Sequence, residues 1–242
     1  TTQDFYKYIK KKNEHISCLG FSATPYLDIE PYNKIISKYT IYDAYCDDVI
    51  VPPKIVWIEN DKTVKDEEYM EICKNQINKL YYKKIIVWCG IIEKCYELAE
   101  LWKGYFTDFD VYIDTSKDTI NIKEYCEKEN NAILFCACKH REGSDIKNLD
   151  CCIFLDKVEN RNPGTFIQCI GRVLRKDKEN NKEFGLIIDL KASSCIKICD
   201  RMNEYLCCSD GFPWKYDILE STIHSNKIII NYVGNWQSNS KS

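Results

Sequence analysis

The chain predicts a doubly wound α/β domain, with a mostly parallel sheet covered by helices on both faces. Three observations lead there. Short apolar runs such as Ile85-Ile86-Val87-Trp88-Cys89 and Cys151-Cys152-Ile153-Phe154 recur without the apolar–polar alternation of a half-exposed strand. Stretches with helical spacing of apolar residues lie between them. Strand and helix alternate through most of the chain, which is the order of βαβ crossovers.

The elements follow in chain order. Ile16 to Phe21 is an apolar run that reads as a strand and stops at Ser22-Ala23-Thr24-Pro25, because proline cannot continue a ladder. Residues 26 to 54, with the Pro52-Pro53 stop, read as an irregular connection between two domains. Lys54 to Glu59 is the next strand, and Glu67 to Tyr82 carries Met70, Cys73, Ile77 and Leu80 at helical spacing. Strands are expected at Ile85 to Cys89, Asp110 to Ile113, Ala132 to Cys136, Cys151 to Leu155 and Leu186 to Leu190. Helices are expected at Ile91 to Trp102, Thr119 to Glu129 and Thr165 to Arg175. Beyond these, Ile196 to Leu206 reads as a helix, Ile228 to Tyr232 as a strand, and Gln237 to Ser242 as a disordered polar tail. The expected division is therefore 1–45, the end of one domain and a connection; 46–195, a second domain; and 196–242, a partly disordered extension. In such sheets function gathers in the loops beyond the strand C-termini, where Ser22, Asp114 and Asp145 fall.

Composition narrows the functional classes. With 242 residues, 45% hydrophobic and 29% charged, the chain is an ordinary globular protein with room for one sizeable core. A net charge of −3 means that any nucleic-acid surface is a local basic patch. No apolar run approaches the roughly 20 residues of a membrane helix. Thr1 to Glu14 is polar and Lys-rich, unlike a secretory signal. The 15 cysteines are odd in number and often sit in apolar runs, which suits reduced thiols inside a cell. Cys195, Cys199, Cys207 and Cys208 lack the C-x2-C spacing of a zinc ribbon, and no metal site is expected on this chain.

The densest motif is Gln168-Cys169-Ile170-Gly171-Arg172-Val173-Leu174-Arg175. On a helix, Gln168, Arg172 and Arg175 would share one face, and Ile167, Ile170 and Leu174 would mark the buried one. From the residues alone two readings stand side by side. Guanidinium groups in one stripe make bidentate bonds to phosphate oxygens. Equally, arginines near a helix C-terminus suit the macrodipole and solvate the helix end.

This string resembles the sixth motif of superfamily 2 helicases, and it has company. Ser22-Ala23-Thr24 resembles the third motif, and Ile85 to Cys89 stands where the fourth is found. Arg141-Glu142-Gly143-Ser144-Asp145-Ile146 resembles the fifth. Order and spacing match across residues 16 to 190. Within the family, the REGSDI and QCIGRVLRKD strings are similar to those of helicase-like proteins of large DNA viruses.

The resemblance implies a RecA-like fold and a set of roles. Arg172 and Arg175 would be arginine fingers that reach ATP held by the preceding, N-terminal RecA-like domain, with Gln168 bridging to that site. Asp145 would meet the ribose or the opposing domain, and Gly143 would allow the tight turn. Ser22, Ala23 and Thr24 would couple hydrolysis to domain closure; alone, Ser22 reads equally as a turn hydroxyl capping its own loop. Lys139, His140 and Arg141 would contact DNA or RNA phosphate, against the plain alternative of a solvated loop. Ala137 stands where many relatives carry a nucleic-acid-contacting threonine, which puts one backbone contact in doubt. The implied setting is intracellular, in cytoplasm or nucleus, or in an infected host cell or virion.

Two hallmarks are missing from the sequence. None of the 9 glycines opens a G-K-[ST] phosphate loop. Asp66-Glu67-Glu68-Tyr69 imitates the acidic magnesium box without a buried strand before it, and Asp156 follows a better strand without an adjacent glutamate. ATP and magnesium are therefore expected to be bound mainly by an upstream domain, and this chain alone is expected to be inactive. The reading is the C-terminal half of an ATP-dependent helicase or translocase, and a P-loop ATPase other than a helicase, such as a restriction-type translocase, stands as a separate alternative that motif order does not distinguish. The other alternative is a non-catalytic nucleic-acid-binding or scaffolding module with the same fold.

Overall fold

The computed structural model describes residues 2–17, 19–20, 37, 39, 41–59, 66–118, 122–140, 144–156, 163–176, 181–190, 215–222 and 225–231. The chain divides into two compact units, Thr1–Thr40 and Ile41–Ser242. The first contains helix α1, Thr2–Lys12, with Asp4 in its first turn and Lys10 to Lys12 in its last, as the helix macrodipole favours. The strand expected at Ile16 to Phe21 is not formed at its described residues, 16, 17, 19 and 20, which have no ladder partner. Ile16 N instead donates to the Asn13 carbonyl at 3.3 Å, a local turn bond after α1. Ser22, Ala23 and Thr24 lie outside the described residues.

The second unit is built on one eight-stranded sheet. Its strands are β1 Pro53–Glu59, β2 Lys84–Trp88, β3 Asp110–Asp114, β4 Ala132–Cys136, β5 Cys151–Phe154, β6 Gly185–Leu190, β7 Lys215–Thr222 and β8 Ser225–Asn231. Their spatial order is β3-β4-β2-β5-β6-β1-β7-β8. Every pairing is parallel except that of β7 with β8. The helices are α2 Ile41–Cys46, α3 Asp66–Ile77, α4 Ile92–Tyr105, α5 Ile122–Glu127 and α6 Pro163–Ile170. Strands β7 and β8 extend the sheet beyond the boundary expected at residue 195. The helix expected at Ile196 to Leu206 and the tail from Gln237 lie outside the described residues.

The continuous apolar runs exist because both sheet faces are covered. Successive side chains of a strand point to opposite faces, so each run feeds two cores. One core takes Ile86, Trp88, Leu134, Cys136, Cys152, Phe154 and Ile187, with Tyr125 of α5 and Phe166, Cys169 and Ile170 of α6. The other takes Ile85, Val87, Ile133, Phe135, Cys151, Ile153 and Ile188, with Tyr69, Met70, Cys73 and Ile77 of α3 and Cys95, Leu98, Ala99 and Trp102 of α4. Trp102 stacks on Phe106 at 4.7 Å and meets Phe135 edge-on at 5.3 Å, which locks α4 onto β4. Burial pushes the Cys73 thiol up to about 12, so it stays protonated at neutral pH.

Two lysines finish helices from a distance. Lys74 Nζ donates to the carbonyl of Tyr105, the last residue of α4, at 3.1 Å. Lys84 Nζ donates to the Cys126 carbonyl in the last turn of α5 at 3.1 Å. Both satisfy orphan carbonyls at the negative end of a helix. Burial holds the Lys84 ammonium below its ordinary pKa. No helix among the described residues is long and apolar enough to cross a membrane.

One expected element ends early. The helix read as Thr165 to Arg175 stops at Ile170. Arg172 N then bonds the Cys169 carbonyl at 3.1 Å and Val173 N the Ile170 carbonyl at 2.9 Å, a tightened final turn. The following backbone is taken by the connection before β1. Val51 N donates to the Leu174 carbonyl at 2.8 Å, Lys176 N to the Val49 carbonyl at 3.3 Å, and Ile50 bridges Arg175 antiparallel. This tertiary ladder outweighs the helical periodicity, which continues through Leu174. Gln168, Arg172 and Arg175 therefore do not share a helix face: they occupy a helix, a turn and an extended bridge.

Candidate functional site

The link from β4 to β5 runs past the end of α6, since Ile146 and Leu149 are packed in the same core as Phe166, Cys169, Ile170 and Val173. This brings two motif segments together. Arg172 Nη1 donates to the Ser144 carbonyl at 2.7 Å. Arg175 Nη1 is ion-paired with Asp145 Oδ1. Four residues of the fifth-motif and sixth-motif strings are thus joined as two neighbouring contacts. Gln168 is half-buried on α6. Gly143 and Arg141 lie outside the described residues.

The turn that carries the arginines needs a close approach to the sheet. A Cβ on Gly185, the first residue of β6, would stand 2.4 Å from the Val173 carbonyl oxygen. Only glycine leaves that oxygen room. Lys176 Nζ pairs with Asp48 Oδ1 in the turn before the bridge, which adds a side-chain tie between this connection and the arginine segment.

A second group of basic residues assembles elsewhere, at the C-terminal end of β3. Asp114 is 3% exposed and is the last residue of that strand. In the ladder it stands opposite Cys136, the last residue of β4, so the chain leaving β4 turns over it. Lys139 Nζ meets Asp114 Oδ1 at 2.8 Å and His140 Nε2 meets Asp114 Oδ2 at 2.6 Å. Trp88 Nε1 donates to the Lys139 carbonyl at 2.9 Å, and its ring stacks on Phe154 at 5.1 Å. His140 adopts φ +64°, in the left-handed region, and its carbonyl accepts from Ser144 Oγ at 3.3 Å. Lys139 and His140 are therefore not a free solvated pair: a buried carboxylate already holds them. The sequence placed Asp114 at a strand end without marking it as a hub. Its partners stand 25 and 26 residues further on, a separation no local pattern signals.

The chemistry of the two groups differs. Arg172 and Arg175 are docked on consecutive residues, Ser144 and Asp145, and a guanidinium is a planar donor suited to carboxylate or phosphate oxygens. Among the described residues no group of three or more His, Cys, Asp or Glu is arranged to hold a metal ion.

Residues 68–177 match the helicase conserved C-terminal domain family. A DEAD-box ATP-dependent RNA helicase, number 50 of Oryza sativa subsp. japonica, is 23% identical over 129 residues, covering 49% of this chain and 20% of the relative. The chain thus spans about a fifth of the length of that curated relative. A fragment described as an HsdR subunit of a type I restriction enzyme from Vibrio vulnificus YJ016 superposes with a TM-score of 0.63 at 18% identity, over 78% of this chain and 40% of that one. S. cerevisiae Dbp5 bound to RNA and ADP BeF3 superposes with a TM-score of 0.52 at 12% identity, over 90% of this chain and 48% of that one. At such identities the likeness is one of fold, and the sheet described above is RecA-like.

Proposed function

We propose, starting from a chain that carries a superfamily 2 helicase C-terminal domain, that it is the second half of an ATP-driven nucleic-acid motor and supplies arginine fingers to ATP bound by an upstream RecA-like domain. One observation carries this reading: the paired docking of Arg172 on Ser144 and Arg175 on Asp145, which assembles two distant motif strings into one guanidinium cluster. A scaffold without turnover has no use for such a cluster.

In this mechanism ATP and magnesium sit on the upstream half, and ATP supplies the phosphoryl group whose developing charge the arginines meet. Arg175 exchanges the Asp145 carboxylate for phosphate oxygens, and Arg172 is delivered by the tight turn after α6. Gln168 would bridge to the nucleotide site of the upstream domain. Ser22, Ala23 and Thr24 couple hydrolysis to closure, and closure grips DNA or RNA; the Dbp5 neighbour is a complex with RNA and ADP BeF3. The similarity of the REGSDI and QCIGRVLRKD strings to viral proteins belongs to the same reading, in which the motor works inside a cell, in cytoplasm or nucleus, or in an infected host cell or virion. A second version of the motor is a restriction-type translocase that moves along nucleic acid without separating the strands. Strand-displacement and triplex-displacement assays separate the two versions.

The test is Arg172→Ala in the intact motor. Hydrolysis is expected to fall by about 10³-fold or more, with ATP and nucleic-acid binding retained, because a finger acts mostly in the transition state. Arg172→Lys should rescue poorly, since an ammonium lacks the planar fork. Normal hydrolysis with lost nucleic-acid binding would make the cluster a backbone-phosphate patch instead.

A further inference from the structure

We infer that Asp114 is a positioning residue for Arg172, acting through His140 and Ser144; this rests on the reading of Arg172 as a finger. Asp114 lies on β3 and Arg172 beyond α6, yet a continuous series of polar contacts joins them. The Asp114 carboxylate holds His140 Nε2 at 2.6 Å. The His140 carbonyl accepts from Ser144 Oγ at 3.3 Å. The Ser144 carbonyl accepts from Arg172 Nη1 at 2.7 Å.

Each link restricts the next. Both oxygens of the carboxylate are engaged, one by Lys139 and one by His140. Its burial removes the water that would otherwise compete for those bonds. The Lys139 carbonyl is pinned from the core side by Trp88 Nε1, so the turn is fixed at both its side chains and its backbone. His140 pays for its place with a left-handed φ of +64°, which an L side chain keeps only where the surroundings over-determine it. The bond to Asp114 is that determinant. The carbonyl of the same residue accepts from Ser144 Oγ, and the Ser144 peptide in turn presents its own carbonyl to the guanidinium.

A buried carboxylate held by a lysine and an imidazole is an expensive way to close a strand end, and an apolar residue would close it more cheaply. Its return is orientation: the set of bonds it anchors ends on a single arginine nitrogen. A guanidinium displaced by 1 Å from its productive place loses about 10²-fold in rate, so a positioning residue of this kind has a large lever.

Two readouts test the inference. In the 242-residue chain, spectra of 15N-labelled arginine side chains report the order of the Arg172 Nε–H. Asp114→Asn should leave the fold intact by near-ultraviolet circular dichroism and make that group mobile. In the intact motor, Asp114→Asn should lower kcat about 10- to 100-fold with KM for ATP little changed. His140→Gly accepts the left-handed φ without strain but lacks the imidazole, so it should reproduce the loss. His140→Gln places an amide N–H near the position of the imidazole Nε2 and can donate to Asp114, so it should restore part of the rate. Asp114→Asn combined with Arg172→Ala should be no slower than Arg172→Ala alone, because the two act on one step. The inference is overturned if Arg172 stays ordered in Asp114→Asn, or if His140→Gly keeps full activity. If Arg172→Ala itself hydrolyses ATP normally, the finger reading fails, while the arginine spectra still decide whether Asp114 orders Arg172.

Discussion

The two basic clusters of the sheet domain are held in opposite ways. Lys139 and His140 rest on Asp114, whose side chain is 4% exposed. Arg175 rests on Asp145, whose side chain is 73% exposed. An ion pair in water is worth about 0–1 kcal/mol, so a phosphate can replace the Asp145 carboxylate at little cost. Asp114 has no such freedom. Removing one partner from a fully buried pair costs about 3–5 kcal/mol, and somewhat less here because Lys139 is partly exposed and screened. The Arg175–Asp145 pair is thus open to a competing anion, whereas the strand-end cluster is shielded from one. Charge alone would have ranked both as phosphate-binding patches; burial of the counter-ion separates them.

The largest effect on this contrast is expected from Gly185→Ala. Its new Cβ would meet the Val173 carbonyl oxygen at 2.4 Å, and a backbone carbonyl cannot swing aside as a flexible side chain can. Overpacking of this kind costs about 1–3 kcal/mol, and this site belongs at the upper end. Urea denaturation should show the loss with an unchanged slope. The arginine resonances should shift, while the His140 imidazole resonance stays in place. A shift of His140 with Arg172 and Arg175 unmoved would reverse the assignment of the two regions.

The same contrast explains what the sequence made legible. The core strands were readable because burial on both faces writes itself as an unbroken apolar run, and Ala132 to Cys136 lies where that run predicts. Helices α3 and α4 were readable from Met70, Cys73 and Ile77 and from the spacing that places Trp102 inward. The end of α6 was not, because Ile170, Val173 and Leu174 keep helical spacing while residues 49–51 capture the backbone. The close of the chain was read only in part: β8 stands out as Ile228-Ile229-Ile230, whereas Lys215-Tyr216-Asp217 opens β7 with no apolar run. Among site residues, Asp145 and the arginines were visible through their motif strings. Their pairing was not, and neither was Asp114, whose role depends on the ladder that sets it opposite Cys136.

A smaller effect is expected from Lys139→Ala. If Lys139 is committed to Asp114, its removal leaves a buried carboxylate with one partner fewer, at a cost of about 1–2 kcal/mol. The slope of nucleic-acid affinity against salt should then change by less than one phosphate contact. Anisotropy titrations over a range of salt, set beside thermal melts, measure both quantities. A slope reduced by about one with no loss of stability would mean that Lys139 spends its charge on nucleic acid.

The smallest effect should come from Asp145→Asn. The substitution keeps the shape of the side chain and removes the charge opposite Arg175. Both partners face water, so stability should change by less than about 1 kcal/mol. Salt sharpens the test, because the screening length falls to about 3 Å at 1 M ionic strength. Any difference between wild type and Asp145→Asn in low salt should vanish there. The corresponding difference for Asp114→Asn should persist, since ions do not reach a buried carboxylate. Melting the three proteins in parallel at low and high salt therefore compares the two clusters by a single measure. If the Asp145→Asn deficit survived 1 M salt, the Arg175 pair would be a structural bond and not an exchangeable one. Arg175 would then be unavailable to a phosphate, and Arg172 would have to act as the sole finger.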